Sequence, residues 1–165
     1  MSYLGLDVGT SGCKAVVFNA EGEELSQAHR EYATLMPEDG WAELDSVAVM
    51  AACREVLAEA SAPCLARDPV EGIGVSSQGE AFTAIGAAGE ILNNAMVSFD
   101  TRAADLAVNW SEAFGRERLY DLTGHTAHPM FTIFKLLWIK ENQPEVWRKA
   151  AAFYCFEDLL HHELG

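Results

Sequence analysis

The chain has 165 residues, 50% of them hydrophobic, with 25 acidic against 11 basic side chains and a formal net charge of −14. That is one ordinary domain with enough apolar material for a core. Its acidic field argues against nucleic acid or an anionic membrane surface as a partner, and no apolar run approaches the length that spans a bilayer.

Tyr3–Val8 and Lys14–Phe18 are β-rich runs on either side of Gly9-Thr10-Ser11-Gly12 and read as a hairpin. The strand pattern follows Met1 almost at once, so no signal peptide is expected. Asn19–Gly22 makes a second turn into a third strand, Glu24–Tyr32, and Pro37–Gly40 is a loop. Asp45 opens a helix to about Ala60, with Val47, Met50, Ala51, Val56 and Leu57 expected on one face. Val70–Ser76, Phe82–Ile85 and Met96–Phe99 are further strand candidates. Helices are expected at Arg102–Phe114, Phe131–Glu141, Pro144–Ala152 and Phe156–Leu164. Antiparallel strands, a helix, more strands and then helices predict an α/β fold, a mixed sheet with flanking helices.

The four cysteines, Cys13, Cys53, Cys64 and Cys155, form no C-x-x-C, and no histidine pairs with them at zinc-like spacing. They read as reduced thiols of a cytoplasmic protein.

The stretch Asp7-Val8-Gly9-Thr10-Ser11-Gly12 is the first to suggest chemistry. Gly9 and Gly12 permit a tight turn and a close approach of backbone to ligand. Thr10 and Ser11 add hydroxyls, Lys14 adds a cation, and successive N–H groups in such a turn make an anion-binding concavity. Asp7 would repel a phosphate unless a Mg²⁺ ion, held through water, stood between them. A plain hairpin turn rich in Gly and Ser accounts for the same residues. The pattern is neither G-x-G-x-x-G nor a P-loop.

"YLGLDVGTSGCKAVVFNAEGEEL" resembles the first phosphate hairpin of the superfamily of sugar kinases, actin and heat-shock-chaperone ATPases. "GIGVSSQGEAFTAIGAAGEIL", "MVSFDTRA" and "LTGHTAHPMFTIFKLLWIKENQPEVW" follow in order. The whole set is similar to the N-terminal part of an FGGY carbohydrate kinase, the family of xylulokinases, gluconokinases and glycerol kinases. The resemblance implies a ribonuclease-H-like fold and phosphorylation of a sugar or polyol hydroxyl with ATP and Mg²⁺. It places Asp7 at the metal and Gly9, Thr10, Ser11 and Lys14 at the ATP phosphates. It places Gln78, Gly79, Glu80, Asp100, Arg102 and Met130 at the substrate, with Arg102 also able to hold Asp100 in place.

Departures from the family pattern bear on the substrate. Ser98 replaces the family's Trp, Gly79 stands for an Arg of the glycerol kinases and Met130 for their Tyr. The expectation is a pentulose or gluconate type of substrate rather than glycerol. The family's general base, an Asp in a later G-x-x-D stretch, would lie beyond Gly165, as would the C-terminal domain. Residues 1–165 are therefore expected to be an incomplete N-terminal domain, inactive alone, whose relatives often form homodimers. Two other readings remain open at this stage: a non-catalytic module that binds a sugar or a partner, and a different ATPase of the same superfamily.

Overall fold

Strict alternation of apolar and polar residues makes β1 (Ser2–Val8) a half-buried strand, with Leu4, Leu6 and Val8 inward and Tyr3, Gly5 and Asp7 outward. It belongs to the first of two compact units in the computed structural model, which describes residues 1–165. This unit comprises Met1–Thr34, Asp45–Gln78 and Phe156–Gly165. β2 (Gly12–Asn19) and β3 (Glu24–Glu31) continue the antiparallel meander, and β5 (Val70–Ser77) lies parallel to β1. The sheet order is β3-β2-β1-β5, the mixed sheet expected from the order of elements.

Helix α1 (Ser46–Ser61) covers one face of this sheet. It begins where expected because the Asp45 carboxylate accepts the Ala48 amide at 3.0 Å, a side-chain cap for an otherwise unpaired donor. Its buried stripe is Val49, Met50, Cys53, Val56 and Ala60, whereas Val47 is exposed and Ala51 and Leu57 are only half-buried. The packing face is thus rotated from the one expected. Small Cys and Ala side chains let the helix sit close to the sheet, and each large apolar side chain it buries contributes about 1.5–3 kcal/mol. Arg30 on β3 ties the two layers at the surface through Glu55 and Glu59. Helix α6 (Phe156–Leu164) packs beside β5, with Phe156, Leu159 and Leu160 buried. The opposite face of the sheet keeps Tyr3, Asp7, Lys14 and Phe18 exposed.

The second unit comprises Leu35–Leu44 and Gly79–Cys155. β4 (Glu43–Leu44) pairs with β7 (Ala95–Met96), and β6 (Phe82–Gly86) pairs with β8 (Ala150–Cys155). Helices α2 (Ala104–Phe114), α3 (Arg116–Thr123), α4 (Thr132–Asn142) and α5 (Pro144–Lys149) complete it. Two expectations are corrected here. The strand expected over Met96–Phe99 is only the two-residue β7, and the helix expected to run to Ala152 ends at Lys149 and gives way to β8. Alanines 150–152 favour helix locally. The wholly buried β6 needs a hydrogen-bonding partner, and tertiary pairing overrides the propensity. Phe153 then meets Phe82 edge-on at 5.8 Å. Phe82, Met96 and Ile139 form one core cluster, and Ala103, Ala107 and Phe134 another. No helix is long and apolar enough to cross a membrane.

Candidate functional site

The expected site residues fall in both units, and each set is described by itself. In the first unit, β1 and β2 close around Gly9–Gly12, with Asp7 opposite Lys14 in register and both exposed. Lys14 lies opposite His29 on β3, and Asp7 opposite Ser76 on β5. A shallow hollow is lined by Asp7, Gly9, Ser11, Lys14 and His29, among others.

The loop carbonyls explain how this turn could bind an anion. The Gly9 carbonyl accepts the Tyr32 hydroxyl at 2.7 Å and the Gln78 side-chain amide at 3.0 Å. The Thr10 carbonyl accepts the Thr34 hydroxyl at 3.3 Å, and the Ser11 carbonyl accepts the Tyr32 amide at 3.1 Å. Every peptide here is trans. In a trans peptide the N–H points opposite to the carbonyl of the same plane. The Gly9 and Thr10 carbonyls, drawn into the protein, therefore turn the N–H groups of Thr10 and Ser11 the other way. Burial, reinforced by Cys13, Cys53 and Asp7, pushes the Tyr32 hydroxyl well above its usual range, so it stays a donor.

Gln78, expected at the substrate, belongs to this brace. Tyr32 and Thr34 were not singled out in the sequence. Their partners lie 23 and 24 positions away, and no local pattern marks a side chain destined for a distant carbonyl.

Gly12 is required for a different reason from flexibility. A Cβ there would lie 2.5 Å from the Arg30 carbonyl oxygen, which is fixed backbone of β3. Gly12→Ala is expected to cost about 1–3 kcal/mol of stability through overpacking. Chemical denaturation of the variant against wild type checks it, and an unchanged midpoint would contradict the tight β2–β3 approach.

In the second unit, Glu80 is the one non-glycine residue with a positive φ, 64°. Its Oε2 accepts the Thr132 amide and hydroxyl, each at 2.5 Å, at the start of α4. Its carbonyl accepts the Lys135 ammonium at 2.7 Å. Glu80 lines a hollow of about 290 Å³ with Trp110, His125, Phe131, Thr132 and Phe134. Gly79 is exposed, with no atom within 4 Å of where a Cβ would sit. Met130 lies on the turn before α4, its amide donating to His128 Nδ1 at 3.2 Å, while Phe131 walls the hollow.

Asp100 and Arg102 are spent on each other. Asp100 is 2% exposed and accepts the Ala42 amide at 2.7 Å, the Arg102 amide at 3.0 Å and the Arg102 guanidinium at 2.7–3.0 Å. Arg102 also pairs with Glu43 at 2.8 Å, and its guanidinium carbon lies 3.8 Å from the ring centre of Trp41 and 5.0 Å from that of Trp138. Both Asp100 oxygens are satisfied inside the protein. No group of three or more His, Cys, Asp or Glu side chains is placed to hold a metal ion.

Comparison with known proteins gives a match over residues 2–165 to the family described as "FGGY family of carbohydrate kinases, N-terminal domain". The L-xylulose/3-keto-L-gulonate kinase of Escherichia coli (strain K12) is 31% identical over 96% of this chain and 32% of its own length. Among solved structures, the xylulose kinase from Rhodospirillum rubrum superposes with a TM-score of 0.92 at 25% identity, covering 98% of this chain and 33% of the other. The gluconate kinase from Lactobacillus acidophilus superposes with a TM-score of 0.88 at 25% identity, over 96% of this chain and 32% of the other. The chain thus spans about a third of the length of the relatives it matches.

Proposed function

The chain belongs to the FGGY family of carbohydrate kinases, matching its N-terminal domain, and from that premise we propose that it binds the phosphates of MgATP and a sugar hydroxyl for phosphoryl transfer. The substrate class is a pentulose or a gluconate-type sugar acid, as in the xylulose and gluconate kinases it resembles. The observation that carries this reading is the Gly9–Ser11 turn, whose carbonyls all bond inward and whose N–H groups and hydroxyls are left for an anion.

Phosphoryl transfer is mostly positioning and electrostatic stabilisation. Gly9, Thr10 and Ser11 cradle the phosphates and Lys14 adds a cation. Asp7 offers a single exposed carboxylate, which suits Mg²⁺, an ion that keeps most of its waters and takes one or two protein carboxylates beside the phosphates. When bound, the ion neutralises charge on the transferring group. Asp7 would hold it through water.

On the sugar side, Glu80 keeps Oε1 unpaired in the protein and accepts a hydroxyl. Asp100 and Arg102 fix the 97–103 turn rather than touching the sugar, and Gly79 and Met130 border the approach. The family resemblance implies a general base, an Asp in a later G-x-x-D stretch, to take the hydroxyl proton, and residues 1–165 by themselves are expected to turn over no ATP with any sugar.

Calorimetry tests the reading. Mg²⁺ with ATP is expected to bind the chain, and Asp7→Asn is expected to weaken it by at least about tenfold with magnesium but little without it. Equal loss with and without magnesium would assign Asp7 a different role.

A further inference from the structure

Glu80 holds a left-handed backbone conformation, φ 64°, that a residue with a Cβ adopts only under constraint. Two groups of α4 supply the constraint. Thr132 grips the carboxylate with its amide and hydroxyl. Lys135 grips the main chain, donating to the Glu80 carbonyl at 2.7 Å and to the Met96 carbonyl at 3.1 Å.

Lys135 is itself anomalous. It is 1% exposed, and its ammonium sits on two neutral carbonyl oxygens and in no salt bridge with a carboxylate. A lysine is among the residues least often fully buried. Stability alone favours an apolar side chain at such a place, because the desolvation of an ammonium is offset only by good partners. Its neighbours on the helix, Phe134 and Ile139, show what the core accepts there. The helix register puts Thr132 and Lys135 one turn apart on the side that meets Glu80.

The geometry points to Lys135 as the positioning residue of the sugar-binding carboxylate. It holds the Glu80 peptide in its left-handed conformation so that Oε2 reaches the first turn of α4 and Oε1 stays free toward the hollow. The functional sense of this inference rests on Glu80 being the hydroxyl acceptor, but its test does not.

The Thr132 amide reports on the arrangement directly. In ¹⁵N-labelled chain, its proton resonance is expected far downfield and protected from exchange. Glu80→Gln, a weaker acceptor, is the reference in which the downfield shift shrinks. Lys135→Met, of similar length but with no donor, is expected to lower Thr132 amide protection by at least about tenfold and to move its resonance upfield. Amides of the Val8–Cys13 turn are expected to stay unchanged, which excludes general unfolding. Lys135→Gln, which keeps a donor group, is expected to retain part of the protection and serves alone should Lys135→Met not fold. A Thr132 amide with wild-type protection and chemical shift in the variant that folds would overturn the inference. No sugar or nucleotide enters this experiment, so its failure is separate from failure of the kinase reading.

Discussion

Arg102→Leu is expected to lower the unfolding free energy by about 3–5 kcal/mol. The cost comes from what is left behind. Asp100 is 2% exposed and accepts most of its hydrogen bonds from Arg102, so removing the guanidinium strands a carboxylate with the Ala42 amide as its main partner. Glu43 loses its cation as well, and the rings of Trp41 and Trp138 lose the group stacked against them. Asp100→Asn keeps the shape and is expected to cost less. Denaturant titration of both variants checks the ranking. A loss below about 1 kcal/mol for Arg102→Leu would mean that the carboxylate finds water, and Asp100 would again be available to a sugar.

The second large effect is a pH dependence that belongs to Lys135. Burial lowers its ammonium from the usual 10.5 to about 8, against the opposing pull of Glu80, Asp100 and Cys155 and with the repulsion of Arg102. Between these two values the unfolded chain binds more protons than the folded one. Stability contributed by this group therefore rises with pH from about 8 to 10.5, in total by something on the order of 3 kcal/mol. Cys53, pushed up by burial to about 12, and Cys13 and Tyr32, shifted in the same direction, act oppositely above pH 9, because the unfolded chain then releases protons first. These contributions cancel in a comparison of wild type with Lys135→Met. Wild type is expected to gain on the variant steadily between pH 8 and 10, measured as the difference in unfolding free energy. A difference that is flat with pH would mean that the Lys135 ammonium is as well solvated folded as unfolded.

The hairpin was legible because it is local, and the order of elements implied the mixed sheet. Alternation fixed the faces of β1, and two glycines around Thr10 and Ser11 marked the turn. What escaped depends on pairing across long stretches. β8 reads as helix until β6 is there to pair with it. Asp100 reads as a substrate contact because the tryptophans that enclose its partner Arg102 lie far off in the chain, at 41 and 138. Gln78 reads as a substrate contact next to Glu80, yet its side chain reaches back 69 positions to Gly9. The left-handed backbone of Glu80 leaves no trace in a one-letter code, since the residue usually chosen for that conformation is glycine.

The most direct measurement is an amide-resolved NMR titration of the chain with magnesium tripolyphosphate, which offers the anion without base or ribose. The predicted result is a set of shifts led by the Thr10 and Ser11 amides, weakened at least about tenfold in affinity by Tyr32→Phe, which loosens the Gly9 carbonyl. Shifts that leave Thr10 and Ser11 unmoved, at concentrations where the rest of the chain responds, would contradict the phosphate cradle and with it the functional reading.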